Sequence, residues 1–196
     1  MCNVMMNEHE ISLGCKRGNV NAQRELFDRY SAHLMALIYR YVADDDDAKD
    51  VLQDTFIKAF ESIDGFAWHG EGSLKAWITR IAVNTSLNHL RSKKRLKASA
   101  VTVDTLGDPP DLEDETTASE VYGIDAGTIM EMIAELPDGY RTVFNLYCLD
   151  GFSHQQIAEK LGISEKTSSS QLARAKALLA RKIKSFINDN NKEKTL

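Results

Sequence analysis

The chain has 196 residues and is 43% hydrophobic, enough to build one large globular domain or two small ones. Its formal net charge is −5, no apolar run is long enough to span a membrane, and the start MCNVMMNEHEISLG lacks the basic segment and apolar core of a secretory signal. Cys2, Cys15 and Cys148 are odd in number and widely spaced, which fits a reducing, cytoplasmic setting and argues against a disulfide scaffold.

Residues from about Asn19 to Val42 are predicted to be a helix or helical pair, because Leu26, Tyr30, Leu34, Leu37 and Tyr41 recur at steps of three and four. Asp44 to Asp47 follow as four consecutive acids. A cation site is one reading of them; an acidic turn at a helix N-terminus, where carboxylates complement the macrodipole, is the better one. The next helix is expected over Asp50 to Ile63. Val51, Leu52, Phe56, Ala59, Phe60 and Ile63 form its apolar side, and Asp50, Gln53, Asp54 and Lys58 a largely polar side. That polar side is either solvated surface or a docking face for a protein partner.

Asp64 to Gly72, DGFAWHGEG, reads as a loop broken by three glycines and holding Phe66 and Trp68. Aromatics beside a basic helix suit stacking on an unpaired base. They suit the core equally, and for Phe66 the core is the preferred reading. Ser73 is the expected N-cap of a long helix running to Lys97. Leu74, Trp77, Ile78, Ile81 and Ala82 give that helix one apolar face, while Val83, Leu87 and Leu90 point elsewhere, so its middle is expected to lie between two packing partners. Arg80, Asn84, Asn88, Arg91 and Arg95 share a polar face, with Lys94 beside them. From Gly72 to Val103 there are seven Lys or Arg and no Asp or Glu. A helix anchored on one side and basic on another suits a polyanion such as DNA, despite the acidic average.

Residues 98–124 contain Gly107, Pro109 and Pro110, seven acids from Asp104 to Glu120, and no Lys or Arg. They are expected to form a flexible, self-repelling acidic linker between two domains. Beyond it, Ile129, Met132, Ile133 and Leu136 mark a short helix that stops at Pro137. Asp138 to Leu149 is predicted to be another, with Tyr140, Val143, Phe144 and Tyr147 turned inward. Ser153 and Gln156 form a capping box, Ile157, Ala158 and Leu161 a buried side, and Gly162 a left-handed stop. Ser164 then caps a second helix. This is a helix-turn-helix, whose second helix would enter a major groove by its N-terminal half. Lys166, Thr167, Ser169, Ser170 and Arg174 are the candidates to face DNA, and Arg174, Lys176, Arg181 and Lys182 to reach phosphates. The tail from Asn188 is expected to fray.

The expected fold is thus all-α: two small helical domains, 1–97 and 125–196, joined by the linker. No catalytic residue and no cofactor are implied. His33, His69, His89 and His154 fall on separate elements, and Cys2, His9 and Cys15 match no zinc spacing.

Taken in order, these pieces resemble the extracytoplasmic-function (ECF) group of sigma factors in the sigma-70 family, the initiation subunits of bacterial RNA polymerase. DVLQDTF at Asp50 to Phe56 is similar to the family's core-binding helix, which docks on a coiled coil of the polymerase β′ clamp. WITRIAVNTSLNHLR at Trp77 to Arg91 is similar to the segment that reads and melts the −10 element. ELPDGYRTVFNLYCLDGFSHQQIAEKLGIS at Glu135 to Ser164 is similar to the start of the domain that reads the −35 element. The resemblance implies that 1–97 is a region 2-like domain and 125–196 a region 4-like domain. It implies that the Phe66 to Ser73 loop captures a flipped non-template base with Asn84 close by, and that the linker threads toward the RNA exit path. It also implies contact with the β flap and control by an anti-sigma factor. The recognition helix departs from the family's common TVKSRLHRAR, reading TSSSQLARAK, with Ser168, Ser169 and Gln171 in place of an apolar and two basic residues. The alternatives are a stand-alone helix-turn-helix regulator acting as a dimer, a metal-dependent phosphohydrolase built on Asp44 to Asp47, and a degenerate module that binds polymerase without opening DNA.

Overall fold

The computed structural model describes residues 6–98 and 124–193. The linker expected over 98–124 lies almost wholly outside the described residues. The described chain is all-α, with no strand among these residues. It divides into two compact units, Met1–Lys97 and Ala98–Leu196.

Among the described residues the N-terminal unit has four helices: α1 (Glu8–Lys16), α2 (Val20–Tyr41), α3 (Asp45–Ser62) and α4 (Ser73–Ala98). Helix α1 lies in a stretch without a readable helical periodicity. Asn7 accepts a hydrogen bond from the Glu10 amide at 2.8 Å, and the Glu10 carboxylate accepts one from the Asn7 amide at 2.9 Å. This reciprocal box satisfies two donors that a helix start otherwise leaves open. Ile11 and Cys15 then bury against α2, whose stripe of Leu26, Tyr30, Leu34, Leu37 and Tyr41 is buried as expected. Burial pushes the Cys15 thiol up to about 11.

Helix α3 begins five residues before the expected Asp50. Asp44 accepts from the amides of Asp46 and Asp47 at 3.1 and 3.0 Å, and the remaining acids fill the first turn. The four-acid run is therefore a capped helix start, as the dipole argument required. The core of the unit closes on α4, where Leu74, Ile78, Ala82, Val83 and Leu87 are all buried. Thr85 and Ser86 are buried as well, so the middle of α4 is enclosed on more than one side.

The C-terminal unit comprises α5 (Ala126–Ala134), α6 (Asp138–Phe144), a π-turn (Asn145–Leu149), α7 (His154–Leu161) and α8 (Glu165–Glu193). Helix α8 packs against α5, α6 and α7 through Leu172, Ala175, Leu179 and Ile183. Arg141, buried in α6, donates to the carbonyls of Ala134 and Leu136 at 2.6 and 2.9 Å and to Asp138 at 2.7 Å. It thereby satisfies the open end of α5. Two expectations need correction here. Tyr147 is 39% exposed, and its ring stacks on His154 at 4.5 Å. Leu146 is the buried residue, because the i→i+5 bond from Asp150 to Asn145 breaks the 3.6-residue spacing on which the inward reading relied. The tail from Asn188 does not fray at once, since α8 stays helical to Glu193.

Candidate nucleic-acid interface

The Asp64–Gly72 loop joins α3 to α4 through a 3-10 turn at Ile63–Gly65, with positive φ at Gly70 and Gly72. Phe66 is 6% exposed and packs on Trp77 at 5.2 Å, so it forms the floor of the loop. It has no free face for a base, and the assignment of Phe66 to DNA contact is corrected on that ground. Trp68 is half-buried, with its ring stacked on His9 of α1 at 5.1 Å.

Ser73 does not cap α4. It is the first helical residue, and its hydroxyl donates to the Gly70 carbonyl at 2.6 Å. The cap comes from elsewhere in the chain. Glu8 Oε2 accepts from the Gly72 amide at 2.8 Å and the Leu74 amide at 3.3 Å, while its Oε1 accepts from the Tyr30 hydroxyl at 2.5 Å. Burial and that bond to Glu8 push the Tyr30 hydroxyl well above its ordinary range. Sequence spacing cannot reveal a cap that lies more than sixty residues away.

Along α4, Arg80, Asn84, Asn88 and Arg91 are all exposed, and Arg91 donates to Asn88 at 3.3 Å. They form one row on the face opposite the buried residues. Lys94 and Arg95 continue the helix, but their side chains lie outside the described set. Lys93 binds Asp47 in the first turn of α3, and His89 Nε2 lies 3.4 Å from the same carboxylate. The far end of the basic helix is thus fixed against α3.

On α3, Asp50, Gln53, Asp54 and Lys58 are exposed as expected. Lys58 leans toward α4, its ammonium 3.4 Å from Thr85 Oγ1. Ile57, which the polar pattern of α3 does not single out, is 53% exposed and sits one turn beyond Gln53 and Asp54. An apolar residue on an otherwise charged face was the available signal.

In the C-terminal unit, Ser153 and Gln156 form the expected capping box, and Gly162 adopts φ 68° at the end of α7. Ser164 accepts from the Thr167 amide at 3.0 Å and meets the Thr167 hydroxyl at 2.8 Å. That hydroxyl is therefore engaged in the cap. Lys166, Ser169, Ser170 and Lys176 are exposed, and Arg174 is half-buried. Ser168, the departure from the family's apolar residue, is fully buried, and its hydroxyl meets His154 Nδ1 at 2.9 Å. A buried hydroxyl needs such a partner, and α7 supplies it.

An all-α chain with a helix-turn-helix in one unit and a basic helix in the other belongs, as a class, with the proteins that act on DNA in transcription. Residues 26–96 match Sigma-70 region 2, and residues 126–179 match Sigma-70, region 4. The chain is 33% identical to the ECF RNA polymerase sigma-E factor of Haemophilus influenzae, with 86% of this chain and 90% of that one covered. It is 30% identical to the RNA polymerase sigma-H factor of Pseudomonas aeruginosa, over 89% and 92% of the two chains. It is also 30% identical to the ECF RNA polymerase sigma factor SigW of Bacillus subtilis, over 86% and 92%. Among solved structures it is similar to the sigma factor RpoE of Bartonella quintana, at 23% identity and a TM-score of 0.49, over 82% of this chain and 96% of that one. The chain belongs to the sigma-70 family, and within it to the ECF sigma factors, which are promoter-specific transcription initiation factors. The stand-alone regulator is not favoured. No described helix is long and apolar enough to cross a membrane.

Proposed function

We propose that this chain binds core RNA polymerase through α3 and opens promoters through α4 and the loop before it, and that α8 reads an upstream element. Asp50, Gln53, Asp54 and Lys58, with Ile57 among them, suit docking on the β′ clamp coiled coil. Trp68 and the row Arg80, Asn84, Asn88 and Arg91, continued by Lys94 and Arg95, suit the −10 strand. Cations in that row hold phosphates, and the two Asn residues offer both donors and acceptors to base edges. Capture of an unpaired base by the loop offsets the few kcal/mol that unstacking costs. Lys166, Ser169 and Ser170 would face the −35 groove, with Arg174 and Lys176 on phosphates and Thr167 held by the Ser164 cap.

The observation that carries this reading is the α4 row itself. Four polar or cationic residues stand exposed at helical spacing, on a helix whose opposite face carries the buried Leu74, Ile78, Ala82 and Ser86. The region 4-like unit is taken to contact the β flap, residues 98–124 to link the two units, and an anti-sigma factor to hold the chain inactive in a cytoplasmic setting. Polymerase supplies the chemistry.

The test is Asn84→Ala combined with Arg91→Ala in reconstituted transcription. Binding to core polymerase is expected to stay as in the wild type. Initiation on a fully paired promoter is expected to fall by tenfold or more, the consequence of losing contacts worth about 1 kcal/mol or more each. Unchanged initiation would contradict the proposal, and a wild type that binds core polymerase without initiating would favour the degenerate module.

A further inference from the structure

Helix α1 has no part in the reading above, yet it meets the Asp64–Ser73 segment and the start of α4 at three successive points. At the start of the loop, Lys16 Nζ donates to the Asp64 carbonyl at 3.2 Å and to the Phe66 carbonyl at 2.7 Å. In its middle, the His9 ring lies on the Trp68 indole, with centroids 5.1 Å apart and planes 28° from parallel. At its end, Glu8 accepts from the amides of Gly72 and Leu74. The second Glu8 oxygen is held by Tyr30, so the carboxylate cannot swing away.

None of the three contacts is needed to bury apolar surface, because Ile11 and Cys15 already seat α1 on α2. Burying a carboxylate is costly unless its charge is met. Glu8, 7% exposed, is met by three donors and by the N-terminal end of α4. Between these clamps the loop holds three glycines, Gly65, Gly70 and Gly72, and would otherwise sample many shapes. Ordering a loop before its ligand arrives removes an entropy cost from binding, and it fixes which ligand fits. With His9 on one side of the indole, a stacking base is limited to the other side.

We propose that α1 is a splint for this loop, with Glu8, His9 and Lys16 as positioning residues that set which unpaired base the loop accepts. The proposal rests on the base-capture reading of the loop given above.

The test uses the full chain with core polymerase on four promoter templates that differ only at the captured base. The promoter is first mapped by transcript starts. The quantity read is the ratio of open-complex yield between the best and the worst base. His9→Ala with Lys16→Met, both at exposed positions, is expected to lower that ratio roughly tenfold, with core binding unchanged. Glu8→Ala is expected to do the same. Glu8→Gln keeps an oxygen for the two amides and offers an amide donor to Tyr30, so it is expected to restore most of the selectivity. Variants that keep the wild-type ratio would overturn the proposal, as would variants that lose yield equally on all four templates. A wild-type protein with no base preference would defeat the base-capture reading, and this proposal with it; selective wild type with equally selective variants defeats this proposal alone.

Discussion

Asp47 accepts a hydrogen bond from Lys93, and that bond holds its carboxyl below the ordinary carboxylate range, with the charges of Lys93 and His89 adding to it and burial working against it. A depressed value in the folded state means that the unfolded chain binds the proton first as pH falls. The resulting stability is fully present above the ordinary carboxylate value of about 4 and is lost as pH falls through the lower folded value. Asp47→Asn should therefore lower the melting temperature at neutral pH, and its curve should meet the wild type's at strongly acidic pH. Tryptophan fluorescence reports this cleanly, because Trp68 and Trp77 both lie in the N-terminal unit. A constant gap between the two curves at every pH would exclude the linkage. At this scale, the exposed residues of α4, the acidic helix start at Asp44 to Asp47 and the caps at Ser153 and Ser164 were legible, since each is set by neighbours within four positions. Glu8, Arg141 and the Ser168–His154 pair were not. Their partners come from distant turns, so no local spacing announces them.

Helices with a long apolar stripe, α2 above all, were readable as elements because periodicity over several turns leaves few alternatives. Helix α1 escaped because nine residues give little periodicity, and its only local sign was the Asn7–Glu10 box. Its seat on α2 is close. A Cβ at Gly14 would lie 2.4 Å from the Ala22 Cβ, and neither atom has a rotamer through which to give way. Overpacking of this kind costs about 1–3 kcal/mol, and Gly→Ala in a helix returns up to about 1 kcal/mol. Gly14→Ala should thus destabilise the N-terminal unit by about 1 kcal/mol net, read as a lower urea midpoint in tryptophan fluorescence. A stabilised variant would mean that α1 shifts freely on α2, which the splint role of α1 does not allow.

Over the whole molecule, an acidic chain concentrates basic residues on one helix of each unit. The order of the parts was legible because each motif is short and local, and family membership follows from their sequence along the chain. The arrangement predicts little affinity of the free chain for promoter DNA and strong, site-specific binding once core polymerase is present. The most direct measurement is run-off transcription with core polymerase from the source organism, this chain and fragmented genomic DNA, with every transcript start mapped. The expected result is a set of discrete new starts, each preceded by two sequence blocks at one fixed spacing. Clear binding to core polymerase with no new start would contradict the account.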